Sequence, residues 1–434
     1  MSLKKSSISG IKWVTSSTLI VTFSAIIKIS ILSRILDVSD FGLMAIVTFL
    51  LGFTTLFIDL GLTTAILHID KISKKQYSSL FWLNVGFSVM LFGLLFFCAH
   101  FISEYYNELE LEILIPLMAF GLVINALGSH YKTIEQKRLN FKLLALVDIS
   151  AAIISLLVAV NFAVYGFGVY SLVYSSLLYT FLGSMFFFLR GMSKMRIELH
   201  FNTHDVKPFL KIGVFNIGGQ VINFFNKEID ILIVGNIFGT EVLGGYSLAK
   251  QLVDRPLRVI RPIVLKVMSP ILSIMKSNQE NLKSNYLKIV RSVSTISTPI
   301  YLMFILFAEP IVSLFYGSEY EHIILLVRIF SGYMFFVSLR IPLGSLIIAT
   351  GKTNMEFYWS LSTFVFMPIA VLIGANFSVE GVAIGMTITN IIYFFPMWRF
   401  LISPLLKVDF KEYLKAHIFS FTNLNDILNG LIKK

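Results

Sequence analysis

Apolar runs of about 20 residues recur along this chain, and that recurrence constrains its fold more than any other feature. A helix of about that length crosses the hydrocarbon core of a bilayer. About twelve such runs can be drawn, near residues 12–35, 42–67, 79–101, 112–130, 143–163, 168–190, 209–238, 243–274, 290–316, 323–350, 356–376 and 381–402. Of the 434 residues 56% are hydrophobic and 14% charged, against about 25% charged in an ordinary soluble domain. A membrane β-barrel would instead show alternating segments of about 10 residues, and none is evident. The expected fold is therefore all-α: a polytopic helical membrane protein of about twelve transmembrane helices. The spans around 209–274 are longer than a bilayer needs, which tilt or protrusion would accommodate.

Loop charges test the count. Basic residues collect in the amino terminus (Lys4, Lys5) and in alternate loops: Lys71, Lys74 and Lys75; Lys132, Lys137, Arg138 and Lys142; Lys194, Arg196, Lys207 and Lys211; Lys276, Lys283 and Lys288. The tail adds Lys407, Lys411, Lys415, Lys433 and Lys434. The intervening loops are acidic: Asp37 and Asp40; Glu104, Glu108, Glu110 and Glu112; Glu241; Glu319 and Glu321; Glu380. Lysine and arginine mark cytoplasmic loops, so both termini are expected in the cytoplasm. A miscounted span would reverse the bias downstream. The net charge of +11 is read as this topological bias, and nucleic acid is not expected as a partner. The first apolar run continues past Ile31 without a small-residue cleavage site, so no cleavable signal peptide is expected.

The single cysteine, Cys98, excludes a disulfide within one chain. The histidines are scattered, no HExxH pair occurs, and neither a metal nor a cofactor is expected. Outer loops are short, which argues against an enzyme with catalytic residues on a large external loop.

The longest inner loop, residues 191–208, falls at mid-chain and reads as a linker between an amino-terminal lobe, 1–190, and a carboxyl-terminal lobe, 209–404, with a cytoplasmic tail, 405–434. Sliding the sequence by 202 residues sets Ile35–Gly42 against Ile237–Gly244. Two six-helix halves of the same orientation would make a parallel repeat.

Charges inside the spans point to function. Lys250, Asp254, Arg258 and Arg261 fall at i, i+4, i+8 and i+11, within about 80° of one another on one helical face. Asn216, Asn223, Lys227 and Asp230 likewise share a face. Lys28 shares one with Ser17 and Ser24 and is too central in its span to snorkel. A charge at bilayer depth costs about 2.5–3.5 kcal/mol on insertion scales, so such residues usually face a partner or an aqueous cavity. Lys250, Arg255, Arg258, Arg261 and Lys266 outnumber Asp254, and arginine's planar fork suits phosphate. The expected anion-binding residues are Lys28, Lys227, Lys250, Arg258 and Arg261. The competing reading puts Arg258, Arg261 and Lys266 on a cytoplasmic extension. Asp59 and Asp230 are candidate ion-coupling carboxylates. Asp59 reads equally as a structural partner of a base; Asp148, also weighed as a proton or cation site, reads better as a base's structural partner or an edge residue near Lys142. Glu228 is expected to point about 100° away from Lys227, toward another helix, while pairing within Lys227, Glu228 and Asp230 would neutralise much of that group.

Five blocks in order then carry a resemblance: Leu36–Leu43 (LDVSDFGL), Asp59–Ile66 (DLGLTTAI), Ser78–Asn84 (SSLFWLN), Gly166–Val173 (GFGVYSLV) and Gly245–Ala249 (GYSLA). Together they resemble the polysaccharide transporter branch of the multidrug/oligosaccharidyl-lipid/polysaccharide exporter superfamily, the Wzx-type flippases, over nearly the whole chain. The resemblance implies two six-helix, MATE-like lobes around a cationic cavity. It implies a lipid-linked oligosaccharide on undecaprenyl diphosphate as substrate, moved to the periplasmic leaflet for O-antigen, capsule or exopolysaccharide assembly. Implied partners are membrane lipid and the polysaccharide polymerase with its chain-length machinery. The family commonly has Gly-Pro where Asp37-Val38 stand, and many relatives carry further carboxyl-terminal helices. Rival readings are a drug/cation antiporter of the same superfamily, whose cavity should be acidic, a lipid II flippase, and a membrane polymerase or ligase.

Overall fold

The computed structural model describes residues 3–59, 66, 72–194 and 196–418. Among them there is no strand. The chain runs through α1 (Leu3–Leu32), α2 (Val38–Asp59), α3 (Lys74–Tyr106), α4 (Leu111–Lys137), α5 (Phe141–Val164), α6 (Tyr170–Lys194) and α7 (Thr203–Met275). It continues through α8 (Gln279–Leu306), α9 (Ala308–Phe315), α10 (Ile324–Leu339), α11 (Ile341–Thr350), α12 (Thr353–Ala375) and α13 (Val379–Met397). After a short π-turn comes α14 (Phe410–His417). Among the described residues 10 helical stretches are long and apolar enough to cross a membrane. The two arms of α7 stand where the seventh and eighth spans are expected. They are divided at Gly239, whose φ of 81° and ψ of 176° belong to a region essentially closed to side chains with a Cβ. The protein is a helical, multi-pass membrane protein.

Its surface fits that solvent. Phe97 and Phe101 on α3, Leu157 on α5 and Ile373 on α12 are all exposed, as lipid-facing side chains should be. Hydroxyls turn inward on their own helices: Thr133 donates to Ser129 O, Thr363 to Trp359 O and Thr387 to Ala383 O. Where water is missing, such back-bonding satisfies a group that would otherwise be costly.

The chain forms two compact units, Met1–Gly244 and Gly245–Lys434. In the first, α3 packs on α4, α4 on α6, α1 on α5 and α5 on α6. Close approach needs missing side chains: a Cβ on Gly128 would strike the Ser184 backbone, and one on Gly191 the Tyr131 ring. Residues 196–202 are held to the start of α3. Ser78 Oγ accepts from Glu198 N at 3.0 Å and Ser79 Oγ from Asn202 N at 3.1 Å, while Trp82 Nε1 donates to Glu198 O at 2.9 Å. In the second unit, α12 packs on α13, with Gly374 against Gly381 and Gly385 against Ala370, and α10 packs on α8 and α13. These units cut the chain elsewhere than the expected lobes, 1–190 and 209–404, because the first arm of α7 contacts α2 and α3. A compact unit is a set of neighbours, whereas a lobe is a repeat of helices, so one division does not replace the other.

The expected tail, 405–434, begins as structure. α14 docks on α8 through Lys283 and Glu412, 2.6 Å apart, and through Ser294 Oγ and His417 Nδ1, 2.9 Å apart. Residues 419–434 lie outside the described residues.

Candidate functional site

In the first unit the functional candidates sit on the first arm of α7. Phe224 and Phe225 on that arm interlock with Phe49 and Phe53 of α2, with ring centroids 5.1 to 6.2 Å apart. Nearer Gly239 the arm is tied to the end of α3: Tyr106 donates to Leu232 O at 3.4 Å and Thr240 to Glu108. Between these anchors stand Lys227, Glu228 and Asp230. Lys227 Nζ lies 2.9 Å from Glu228 Oε1. Cα positions 100° apart do not stop two long, flexible side chains from meeting, and Glu228 has further interactions besides this pair. Asp230 is 0% exposed. Lys28 is half-buried on α1. Neither Lys28 nor Asp230 is free of interactions. Asp148 pairs with Lys132 at 2.8 Å, so the structural reading of that aspartate holds. Asp59 ends α2, but its side chain, like those of Asn216 and Lys266, lies outside the described residues.

In the second unit the candidates follow one stripe of α7's second arm. Lys250 and Asp254 are each 6% exposed. Arg258 donates Nε to Asp254 Oδ2 at 2.7 Å, a charge-assisted bond between residues one turn apart. Pro256 and Pro262 cannot donate to carbonyls one turn back. Next to the first gap, Tyr301 from α8 donates to Val253 O at 3.3 Å; Tyr316 donates to Leu248 O at 3.1 Å. Arg255 is half-buried beside Asp254, Arg258 and Tyr316. Two of the five expected anion-binding cations, Lys227 and Arg258, therefore have acidic mates on their own helix.

Sequence reasoning passed over Arg340, which stands at the junction of α10 and α11 and donates Nη1 to Asn390 Oδ1 on α13 at 3.2 Å. Glu356, in the first turn of α12, was also passed over, and Arg340 and Glu356 lie within electrostatic range of each other. A lone arginine amid Ser338-Leu339 and Ile341-Pro342 was the available signal. It has no charged neighbour at helical spacing, so a search for charged faces missed it.

The chain is similar to the lipopolysaccharide biosynthesis protein WzxC of Escherichia coli K12, 26% identical over 415 residues, covering 95% of this chain and 84% of WzxC. It is similar to the teichuronic acid biosynthesis protein TuaB of Bacillus subtilis, 24% identical over 422 residues, covering 96% of this chain and 86% of TuaB. Among solved structures, the lipid II flippase MurJ in an inward closed conformation aligns with a TM-score of 0.71 at 17% identity, covering 98% of this chain and 96% of that one. At that identity the likeness speaks for the fold. The model of the polysaccharide biosynthesis protein family matches residues 31–325, well over half of the chain, and the protein belongs to that family.

Proposed function

We propose that this protein is a flippase that carries an undecaprenyl-diphosphate-linked oligosaccharide from the cytoplasmic to the periplasmic leaflet by alternating access. It does so in the bacterial inner membrane, with both termini cytoplasmic, and the two six-helix lobes, 1–190 and 209–404, are its moving bodies. The observation that carries the reading is the excess of cations on α7's second arm. From Leu243 to Met275 Asp254 is the one carboxylate against Lys250, Arg255, Arg258, Arg261 and Lys266, and Lys250 is buried. A diphosphate headgroup has the charge and geometry for such a surface. A drug cation does not. Lys28 and Lys227 in the first unit, and Lys250, Arg258 and Arg261 in the second, are the residues the headgroup meets during passage. Asp230 or Asp59 couples the cycle to an ion. The likeness to MurJ supports transport of a lipid-linked substrate, and the likeness to WzxC supports a role in polysaccharide assembly, with the polymerase and chain-length machinery as downstream partners. The protein itself is proposed to catalyse no bond change.

The experiment is a flipping assay with a lipid-linked oligosaccharide in vesicles. Lys250→Ala combined with Arg258→Ala is expected to abolish transport while the protein still inserts and purifies. Wild-type rates in that variant would overturn the reading.

A further inference from the structure

Arg340 stands inside the second unit without an acidic mate. Among the described residues its one hydrogen bond goes to Asn390, at 3.2 Å, and no carboxylate lies within ion-pair distance of it. The side chain is half-buried within a membrane-spanning stretch, Ser318–Thr350. Pro342 cannot donate to the carbonyl of Ser338, and the helix breaks at Arg340.

The surroundings of this guanidinium are polar and net positive. Arg261 on α7, Glu356 on α12, and the hydroxyls of Tyr333 and Tyr413 lie within electrostatic range of it. Arg261 and Arg340 are held on facing helices. One turn beyond them Ser345 Oγ donates to Val264 O at 3.4 Å, and Gly344 lies against Leu265. Two guanidinium groups against one carboxylate leave a positive excess.

A purely structural link to Asn390 would not need a charge. A glutamine could donate the same bond and escape much of the desolvation cost that a full charge meets at this depth. What distinguishes arginine is a planar fork, and most of this fork makes no hydrogen bond to the described residues. Such a fork pairs with phosphoryl oxygens two bonds at a time.

We infer that Arg340, with Arg261 on the facing helix, binds the phosphoryl oxygens of an anionic headgroup. The inference rests on the reading of the protein as a carrier of a diphosphate-linked lipid. It adds a contact from the α10–α11 break that the charged faces of α1 and α7 do not include. Phosphoryl chemistry is shared by a lipid diphosphate and by free diphosphate, so both serve as probes.

The test is equilibrium binding of undecaprenyl diphosphate, and separately of inorganic diphosphate, to the full-length protein in detergent. Arg340→Gln keeps a donor for Asn390 and removes the charge. It is expected to weaken binding by about tenfold or more, the usual loss for a charged hydrogen bond, with little change in thermal unfolding. Arg340→Lys should fall between, since it keeps the charge and loses the fork. Equal binding by Arg340→Gln and wild type would overturn the inference and leave the flippase reading intact. Absence of any binding by wild type would overturn both. Should Arg340→Gln fail to fold, the wild type decides: either probe should slow modification of Arg340 by phenylglyoxal, read by mass spectrometry of its peptide. Protection by both probes assigns the site to the phosphoryl group, and protection by the lipid alone assigns it to the lipid-linked form. An unchanged rate with both overturns the inference.

Discussion

At the scale of single residues, the ion pair of Arg258 with Asp254 separates structure from transport. Asp254 is buried and Arg258 half-exposed, so truncating the arginine leaves a buried carboxylate without its mate. Arg258→Ala should lower stability by about 1–3 kcal/mol, whereas adding Asp254→Asn should recover most of that loss. If the arginine serves the headgroup, the double variant regains folding but not transport. Thermal unfolding and the vesicle assay, run on the same preparations, read the two effects. Recovery of both would make the pair structural. The stripe of Lys250, Asp254 and Arg258 was legible because helical geometry places i, i+4 and i+8 together. The pairing of Lys227 with Glu228 was only half legible: their adjacency allows it, but side-chain reach rather than Cα direction decides it. Arg340 was hidden for a different reason: Asn390 lies 50 positions away in sequence, and periodicity within one helix cannot see such a partner.

The same scale carries a pH prediction. His417 packs its ring against Tyr413 and Phe394, with its Nε2 buried and without a hydrogen bond among the described residues. Burial pushes its pKa down from 6.5 to about 4. The folded form therefore refuses a proton that an undocked α14 accepts. Docking is unaffected above pH 6.5, weakens as pH falls from 6.5 toward 4, and levels off below that. Lys283 and Glu412 flank the same contact. Trp398 reports on it, since its indole donates to Val408 O and its ring meets Phe410 at 5.0 Å. Fluorescence of Trp398, in a background lacking the other tryptophans, should change across that window, and His417→Gln should flatten the response. An unchanged profile in the variant would assign the transition elsewhere.

At the scale of elements, two glycine contacts near the break in α7 bear on the expected repeat. A Cβ on Gly42 would strike the Thr240 backbone, and one on Gly244 would strike Val38 O. Under the offset of 202, Val38 corresponds to Thr240 and Gly42 to Gly244, so each contact is the other with its partners exchanged. That is the signature of a local two-fold relation between the matched segments, which share the first unit. Thin identity alone could not reveal this reciprocity, because it is carried by backbone proximity. Gly42→Val or Gly244→Val should cost roughly 1–3 kcal/mol or more through overpacking against an unyielding main chain. Gly239→Ala should cost about 1–3 kcal/mol through its backbone angles alone. Thermal unfolding in detergent measures all three. Loss in the valine variants without loss in Gly239→Ala would place the constraint in the contact and not in the break. The linker was only half legible. Its polarity marked 191–208 as an interruption between spans, but nothing in composition shows that Ser78 and Ser79 take up its backbone N–H groups.

At the scale of the whole molecule, hydropathy carried most of the fold. The 10 stretches and the two arms of α7 account for the twelve expected spans. Both arms are interrupted by polar side chains, amides such as Asn223 and Asn226 on the first and Lys250, Asp254, Arg255 and Arg258 on the second. An even number of crossings puts both ends on one face, and the alternation of lysine-rich and acidic loops decides which face. The proposed orientation can therefore be tested without any assay of transport. With Cys98 replaced by alanine, single cysteines at Glu108, Glu241 and Glu380 should react in intact cells with a membrane-impermeant maleimide. Those at Lys137, Lys276 and Lys407 should react after the membrane is opened. A single crossing more or fewer would invert every site beyond the error, so the labelling pattern locates a miscount as well as detecting it. Inversion at all six positions would turn the molecule over and reverse the direction proposed for its substrate.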